Sequence, residues 1–254
     1  MGVFRIFAVV SFFLLVPYID SPQAADPKSP NKGMGPWWVA ARTGVYSFQS
    51  TYGSSQGFLK PVGGPPGGIA VGMKEGSFLG VGGGRRFNRW LGAEASLSRF
   101  DVEIGGYDLF RETGETPDVK IGTGAVTAIQ ATVLFDGRLD FGGTDLNQLQ
   151  EYRFIYYLGV DLIYVLPDDV EISEPGRSRL GVFAVETRPA MIFGLSVRGD
   201  IRVGRGPWAV TLNGTLTFGG GEPFEVHTDP AVGYYSTEVS FHPLTLTIGF
   251  MRWF

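Results

Sequence analysis

The chain has 254 residues, a formal net charge of −4, no cysteine, and 14% aromatic residues. The lack of cysteine excludes disulfides and thiolate metal sites, and the aromatic content argues against a disordered chain. The negative charge, without a long basic run, argues against nucleic acid as a partner.

The first 25 residues predict a cleavable secretory signal peptide, with a single domain over residues 26–254. Arg5 provides a basic start, residues 6–16 form an apolar run, and small residues precede a predicted cleavage after Ala25. The alternative is a transmembrane anchor. It is disfavoured because the apolar run is shorter than the ~20 residues that a spanning helix needs.

Eight later segments are predicted to be strands, and in all but the glycine-rich second one apolar residues alternate with small or polar ones. A period of two places successive side chains on opposite faces of a β-strand. The predicted strands cover residues 37–48, 76–87, 90–104, 119–135, 152–165, 189–203, 208–218 and 239–254. In the last strand, the apolar residues between Leu244 and Phe250 alternate with threonine and glycine.

Most of these apolar sets have the 9–11 residues that a tilted strand needs to cross a bilayer. Only a closed sheet satisfies every backbone group in hydrocarbon. We therefore predict an all-β fold, an eight-stranded antiparallel up-and-down transmembrane β-barrel.

The connections between the predicted strands alternate in length. Those at 88–89 and 204–207 are short, whereas those at 50–75, 105–118, 167–188 and 219–238 are long and rich in glycine, proline and charge. Short turns are typical of the periplasmic side of outer-membrane barrels. We therefore expect the bacterial outer membrane, with both termini periplasmic. The connection at 136–151 is an exception, because it is long where a turn is expected and contains a possible helical turn at 145–151.

All five tryptophans fall at the predicted periplasmic ends of strands. Tryptophan favours the membrane–water interface, where its ring is half buried and its N–H stays hydrated. We predict an interfacial aromatic girdle of Trp37, Trp38, Trp90, Trp208, Trp253 and Phe254.

The inward-facing positions differ with depth. Towards the periplasm and mid-barrel they form a predicted charged layer of Arg42, Glu94, Asp161, Arg198 and Asp200. Towards the exterior they form a predicted hydrophobic vestibule of Tyr46, Phe48, Phe100, Val102, Ile104, Ile163 and Ile192. An eight-stranded barrel holds only its own side chains or one small ligand, which excludes a wide aqueous pore.

Two interpretations of this interior stay open. In the first, the charges pair only to offset the cost of their burial and form a structural plug. In the second, a small hydrophobic molecule enters an open apolar vestibule, is stopped by the charged layer, and leaves sideways into the bilayer.

The sequence resembles the OmpW family of small eight-stranded outer-membrane barrels. The resemblance is carried by WVAARTG at 38–44, LGAEASL at 91–97, YLGVDLIY at 157–164, GLSVRGD at 194–200, and the aromatic terminal strand. It implies a narrow channel or carrier for small hydrophobic molecules. The partners we expect are outer-membrane lipid, lipopolysaccharide, hydrophobic solutes and, through the C-terminal strand, the barrel-assembly machinery.

Two other functions stay open. One is a non-conducting structural or adhesive barrel whose long loops bind other surfaces. The other is a lipid-modifying enzyme, because Ser240 and His242 share a strand face, but no third carboxylate is identifiable and we predict no enzyme. We expect no cofactor and no metal, since spacing alone does not show carboxylates in fixed geometry around either His227 or His242.

Overall fold

The computed structural model describes residues 36–48, 58–59, 69–88, 90–108, 119–136, 154–203, 206–229 and 236–254. The predicted signal peptide and the predicted helical turn at 145–151 lie outside these residues.

Eight antiparallel strands close into a barrel in which each strand pairs with the next and the last pairs with the first. This confirms the predicted fold. The barrel strands are β1 (Trp37–Phe48), β2 (Gly76–Arg86), β3 (Leu91–Asp108), β4 (Val119–Asp136), β5 (Phe154–Pro167), β6 (Ala190–Arg202), β7 (Trp208–Gly220) and β8 (Pro243–Trp253). The main differences from the predicted bounds are that β3 runs on to Asp108 and β8 starts only at Pro243.

The alternation of side chains follows from the pleat of the strands. Along β8, Leu246, Ile248 and Phe250 are exposed outward at 60%, 50% and 68%, whereas Thr245 and Thr247 are buried inside. The other seven barrel strands also expose large apolar side chains on their outer faces, and together these form the outward apolar band that is typical of a membrane-spanning barrel. No helix in the described part of the chain is both long enough and apolar enough to cross a membrane.

The apolar band is bounded on the side of the long connections. On β3 the outward series changes from Leu97 to Arg99, whose Nη2 lies 2.6 Å from Asp168 Oδ2. Both side chains are about half exposed. We call this side of the barrel the loop end, and the side of the short connections, where Trp38 and Trp253 lie, the turn end.

The long connections at the loop end are more ordered than the sequence suggested. Strands Val182–Thr187, Phe224–Thr228 and Ser236–Val239 form a separate antiparallel sheet, which we call the cap sheet. Helix α1 (Glu174–Leu180) and the short strands Phe58–Leu59, Ile69–Met73 and Glu171–Ile172 complete this region. The connections are rich in glycine and proline, but the alternation of Phe224 and Val226 with Glu225 and His227 is itself a strand pattern.

Candidate functional site

The loop-end interior of the barrel is filled by hydrophobic side chains, which we call the apolar cluster. It contains all seven residues of the predicted vestibule, with Phe48 partly buried at its edge. The ring of Phe100 stacks on Phe78 at 4.5 Å between centroids and meets Phe241 edge-on at 5.5 Å. Tyr46 packs against the same ring at 5.4 Å, and its hydroxyl donates a hydrogen bond to the backbone oxygen of Asp101.

The structure differs from the prediction in that these residues pack into a buried cluster, although Phe100, Ile163 and Ile192 also border the cavity described below. Phe224, Val226 and Val239 of the cap sheet have 0% exposure and belong to the same cluster. The cluster therefore fills the loop end and continues into the cap sheet. Parity along the strands identified the inward side chains, but it carried no information about a cap formed by distant loop segments.

Next to the apolar cluster lies a cavity of about 40 Å³, whose apolar lining includes Phe78, Phe100, Ile163, Ile192 and Phe241 of that cluster. Given the volume that one water centre needs, it has room for about three waters. Its polar lining consists of Arg42, Ser96, Ser98, Gln130, Asn213, Thr215, Thr217, Thr245 and Thr247. Within the described residues, Arg42 Nε and Asn213 Oδ1 are buried without a protein partner, as is typical of atoms that hydrogen-bond internal water. Three residues of the predicted vestibule, Phe100, Ile163 and Ile192, line this cavity, whereas its polar lining was not part of that prediction.

Towards the turn end, four side chains form a compact network that we call the ion-pair cluster: Arg42, Glu94, Arg198 and Asp200. Glu94 accepts from Arg42 Nη2 at 2.7 Å and from Arg198 Nη1 at 2.6 Å. Arg198 also binds Asp200 through two parallel hydrogen bonds of 2.7 and 2.8 Å. Two positive and two negative groups balance, which offsets the cost of burying them.

Aromatic rings surround the ion-pair cluster. Trp38 Nε1 donates to Glu94 Oε2 at 2.9 Å, and the Arg198 guanidinium lies 5.2 Å from the Trp38 ring centroid and 5.3 Å from that of Tyr157. Contacts of a cation with a ring face are favourable, and more so away from water. The Trp38 and Trp253 rings lie 4.9 Å apart, so the turn end is closed by packed rings and paired charges.

The interfacial assignment of Trp38 and Trp253 is therefore wrong. Both are 3% exposed inside the barrel, where they face each other across the β1–β8 pairing. The strand period places Trp37 and Trp38 on opposite faces, which the girdle prediction overlooked. The remaining girdle residues are exposed on the outer surface: Trp37, Trp90, Trp208 and Phe254.

Asp161 does not join the ion-pair cluster, although the sequence grouped them. It is 1% exposed, and its Oδ1 accepts from Thr132 Oγ1 at 2.6 Å, Gln130 Nε2 at 2.8 Å and Ser196 Oγ at 3.3 Å. Within the described residues no arginine or lysine forms an ion pair with it. The predicted charged layer thus consists of a four-membered cluster and one carboxylate held by neutral donors.

Ser240, considered above for catalysis at the lipid face, is 6% exposed just before β8. It is buried rather than presented to lipid, whereas His242 is half buried. Ser240 and His242 therefore do not match the lipid-facing Ser–His pair considered from the sequence.

Two solved structures share the fold of this chain. The outer membrane protein OprG from Pseudomonas aeruginosa matches with a TM-score of 0.61 at 15% identity, over 87% of this chain and 97% of that one. The outer membrane protein AlkL, solved by solid-state NMR in DMPC bilayers, matches with a TM-score of 0.54 at 13% identity, over 87% of this chain and 92% of that one. No family model matches the sequence, and no curated protein matches it significantly. The chain therefore has the fold of small outer-membrane barrels, as the resemblance to the OmpW family implied.

Proposed function

We propose that this barrel lies in the bacterial outer membrane, with both chain ends in the periplasm, and admits small hydrophobic molecules from its loop end. The observation that carries the proposal is the apolar cluster, an inner surface of aromatic and branched side chains that runs from the cap sheet to mid-barrel. Sites for small ligands are typically lined in this way, with few polar groups.

The described state is the closed one. Phe224 and Phe241 fill the space that a solute would occupy, so the cap sheet must move before anything enters. Passage straight through the barrel then meets the ion-pair cluster. An apolar molecule gains nothing by entering that cluster, whereas the bilayer outside is favourable for it. A sideways exit through the wall therefore suits a hydrophobic solute better than an axial one.

The test is uptake of an apolar fluorescent solute into proteoliposomes. Phe100→Asp puts a charge in the proposed route and should lower uptake, because a charge is costly to bury among apolar side chains. Phe218→Ala is the matched control, since it removes an aromatic ring that is 47% exposed on the outer face. It should leave uptake unchanged.

Folding of each variant is checked by circular dichroism. If Phe100→Asp does not fold, Phe100→Ala replaces it, and the wider route should raise uptake. Wild-type uptake equal to that of empty liposomes, or uptake indifferent to both Phe100 variants, would overturn the proposal.

A second candidate is a non-conducting structural or adhesive barrel. The observation that favours it is the filled interior, in which the cavity measures only about 40 Å³. Such a barrel would show neither single-channel conductance nor solute uptake, and its cap region would bind other surfaces. Conductance in planar bilayers together with the uptake assay separates the two candidates.

A further inference from the structure

The outer face of the cap sheet brings together side chains that are distant in the sequence. Glu186 on strand Val182–Thr187 lies directly opposite Glu225 on strand Phe224–Thr228. His227 follows Glu225 by two residues, which places it on the same face of the sheet. Its cross-strand partner is Ala184, whose small side chain leaves room for the imidazole.

The three side chains converge at one point. Their ligating atoms all lie within 4.8 Å of one another, and His227 Nε2 is 3.5 Å from Glu186 Oε1. His227 is 7% exposed, with the Phe183 ring 6.1 Å from its own. The imidazole is therefore held in a protected position at the edge of an otherwise accessible carboxylate pair.

Basic side chains balance the charges of this group only in part. Directly opposed like charges destabilise a sheet. Within the described residues, the ion pair of Glu186 is with His227, and Glu225 meets Arg188 only at 3.9 Å. Arg188 itself makes a closer ion pair with Glu238. A cation between Glu186 and Glu225 would relieve the repulsion.

We propose that Glu186, Glu225 and His227 bind a divalent transition-metal ion of the zinc class. Imidazole nitrogen and carboxylate oxygen are both zinc ligands, with bond lengths of about 2.0–2.2 Å. Two ligands at such distances from one ion lie some 3–3.6 Å apart in tetrahedral geometry, a range that includes the observed Nε2–Oε1 distance. An imidazole ligand favours zinc, nickel or copper over calcium and magnesium.

The metal would join the two cap strands across their outer face. Next to the site the register shifts between His227 and Thr228, and irregularities of this kind often re-aim a side chain beside a functional site. The site lies outside the barrel and does not depend on the transport proposal. A three-ligand site also leaves one coordination position open.

The test is isothermal titration of the untagged, detergent-folded protein with Zn²⁺, and with Ca²⁺ for comparison. The chain suits this experiment because it has only two histidines and no cysteine. Wild-type protein should bind one Zn²⁺, and Ca²⁺ at least tenfold more weakly. Glu186→Gln, Glu225→Gln and His227→Gln should each weaken Zn²⁺ binding at least tenfold.

A control variant tests the position of the site. His242→Gln removes the other histidine and leaves the three proposed ligands in place, so it should keep wild-type affinity. Co²⁺ absorption provides a second readout, since its ligand-field bands should disappear in His227→Gln. Absence of one-to-one Zn²⁺ binding, equal binding of Ca²⁺, or wild-type affinity in His227→Gln would each overturn the proposal.

Discussion

Arg198 Nη1 and Glu94 Oε2 lie 2.6 Å apart inside the barrel, although the two residues are 104 positions apart in the chain. Arg198 stands on β6 and Glu94 on β3, so this contact joins two walls that are not neighbours in the sheet. Their side chains are only 3% and 5% exposed. The pair therefore bridges the barrel interior at its turn end.

Glu94→Gln should strongly destabilise the folded barrel. It removes the carboxylate that Arg42 and Arg198 share and leaves two buried guanidinium groups with one acidic partner, Asp200. Loss of one partner of a buried pair costs about 3–5 kcal/mol. Urea unfolding of lipid-folded protein, followed by tryptophan fluorescence, measures this change.

Asp168→Asn is the control for that experiment. It breaks the half-exposed pair of Asp168 with Arg99, and surface pairs contribute at most about 1 kcal/mol. Equal unfolding free energies for the two variants would contradict the bridging role of Glu94.

Single-tryptophan variants should separate the five tryptophans into two classes. With the other four replaced by phenylalanine, Trp37, Trp90 and Trp208 should be quenched strongly by nitroxide-labelled lipid, because they are exposed on the outer surface. Trp38 and Trp253 should be quenched weakly, because they are buried inside. Strong lipid quenching of either inner ring would contradict the inward orientation.

Gly84→Ala should destabilise the barrel through overpacking. A Cβ at this position would lie 2.2 Å from Trp38 Cζ2 and 2.4 Å from the backbone oxygen of Ala93. Forcing extra volume into a packed site costs about 1–3 kcal/mol. Urea unfolding measures the difference.

Gly214→Ala is the matched substitution on the outer face. Its Cβ would meet only Leu246 Cδ2 at 3.5 Å and Thr245 O at 3.9 Å, which are ordinary contacts. We expect a change within about 0.5 kcal/mol. A larger loss of unfolding free energy for Gly214→Ala than for Gly84→Ala would contradict the close packing of the barrel interior around Gly84.

The carboxyl groups of Glu222 and Glu238 at the loop end should have clearly different pKa values. A hydrogen bond to Glu238, followed by partial burial, raises the pKa of Glu222 above its usual value. The same hydrogen bond, followed by the hydrogen bond from Arg188, lowers the pKa of Glu238 below its usual value. The stabilisation from Glu238 is present above its unfolded pKa and is lost as pH falls through the lowered one. That from Glu222 is present below its unfolded pKa and is lost as pH rises through the raised one.

Both stabilising effects are present when the carboxyls of Glu222 and Glu238 share one proton. The hydrogen bond between them should therefore contribute most to stability at a pH between their two folded-state pKa values. Carbon-13 NMR titration of the glutamate carboxyls measures both values directly. Glu222→Ala should bring the pKa of Glu238 back up towards its usual value. Coincident titration of the two groups in the wild-type protein would contradict this interpretation.

The strands and their inner faces were accessible from the sequence because the period of two is set by local backbone geometry. Leu246, Ile248 and Phe250 were assigned outward, and Arg42, Glu94 and Arg198 inward, from alternation alone. The same rule would have placed Trp38 inside, opposite Trp37. That error came from grouping tryptophans by depth without applying the alternation.

Contacts across the barrel interior were not accessible in the same way. Which inner charges meet depends on strand tilt and register, so Asp161 was grouped with Glu94 although Gln130 and Thr132 hold it elsewhere. The cap sheet also depends on pairing between distant loops. Glu186 and Glu225 meet only because two segments separated by β6 and β7 align in register.

The pairing of β1 with β8, from Trp38 opposite Trp253 to Phe48 opposite Pro243, has a kinetic consequence. The other six barrel strands lie between these partners in the chain, so this seam closes the longest loop of the sheet. Contacts between residues so far apart in the sequence cost chain entropy before they contribute any stability, and folds dominated by such contacts form slowly. Sealing of this edge should therefore be the slow event when the polypeptide inserts into a bilayer.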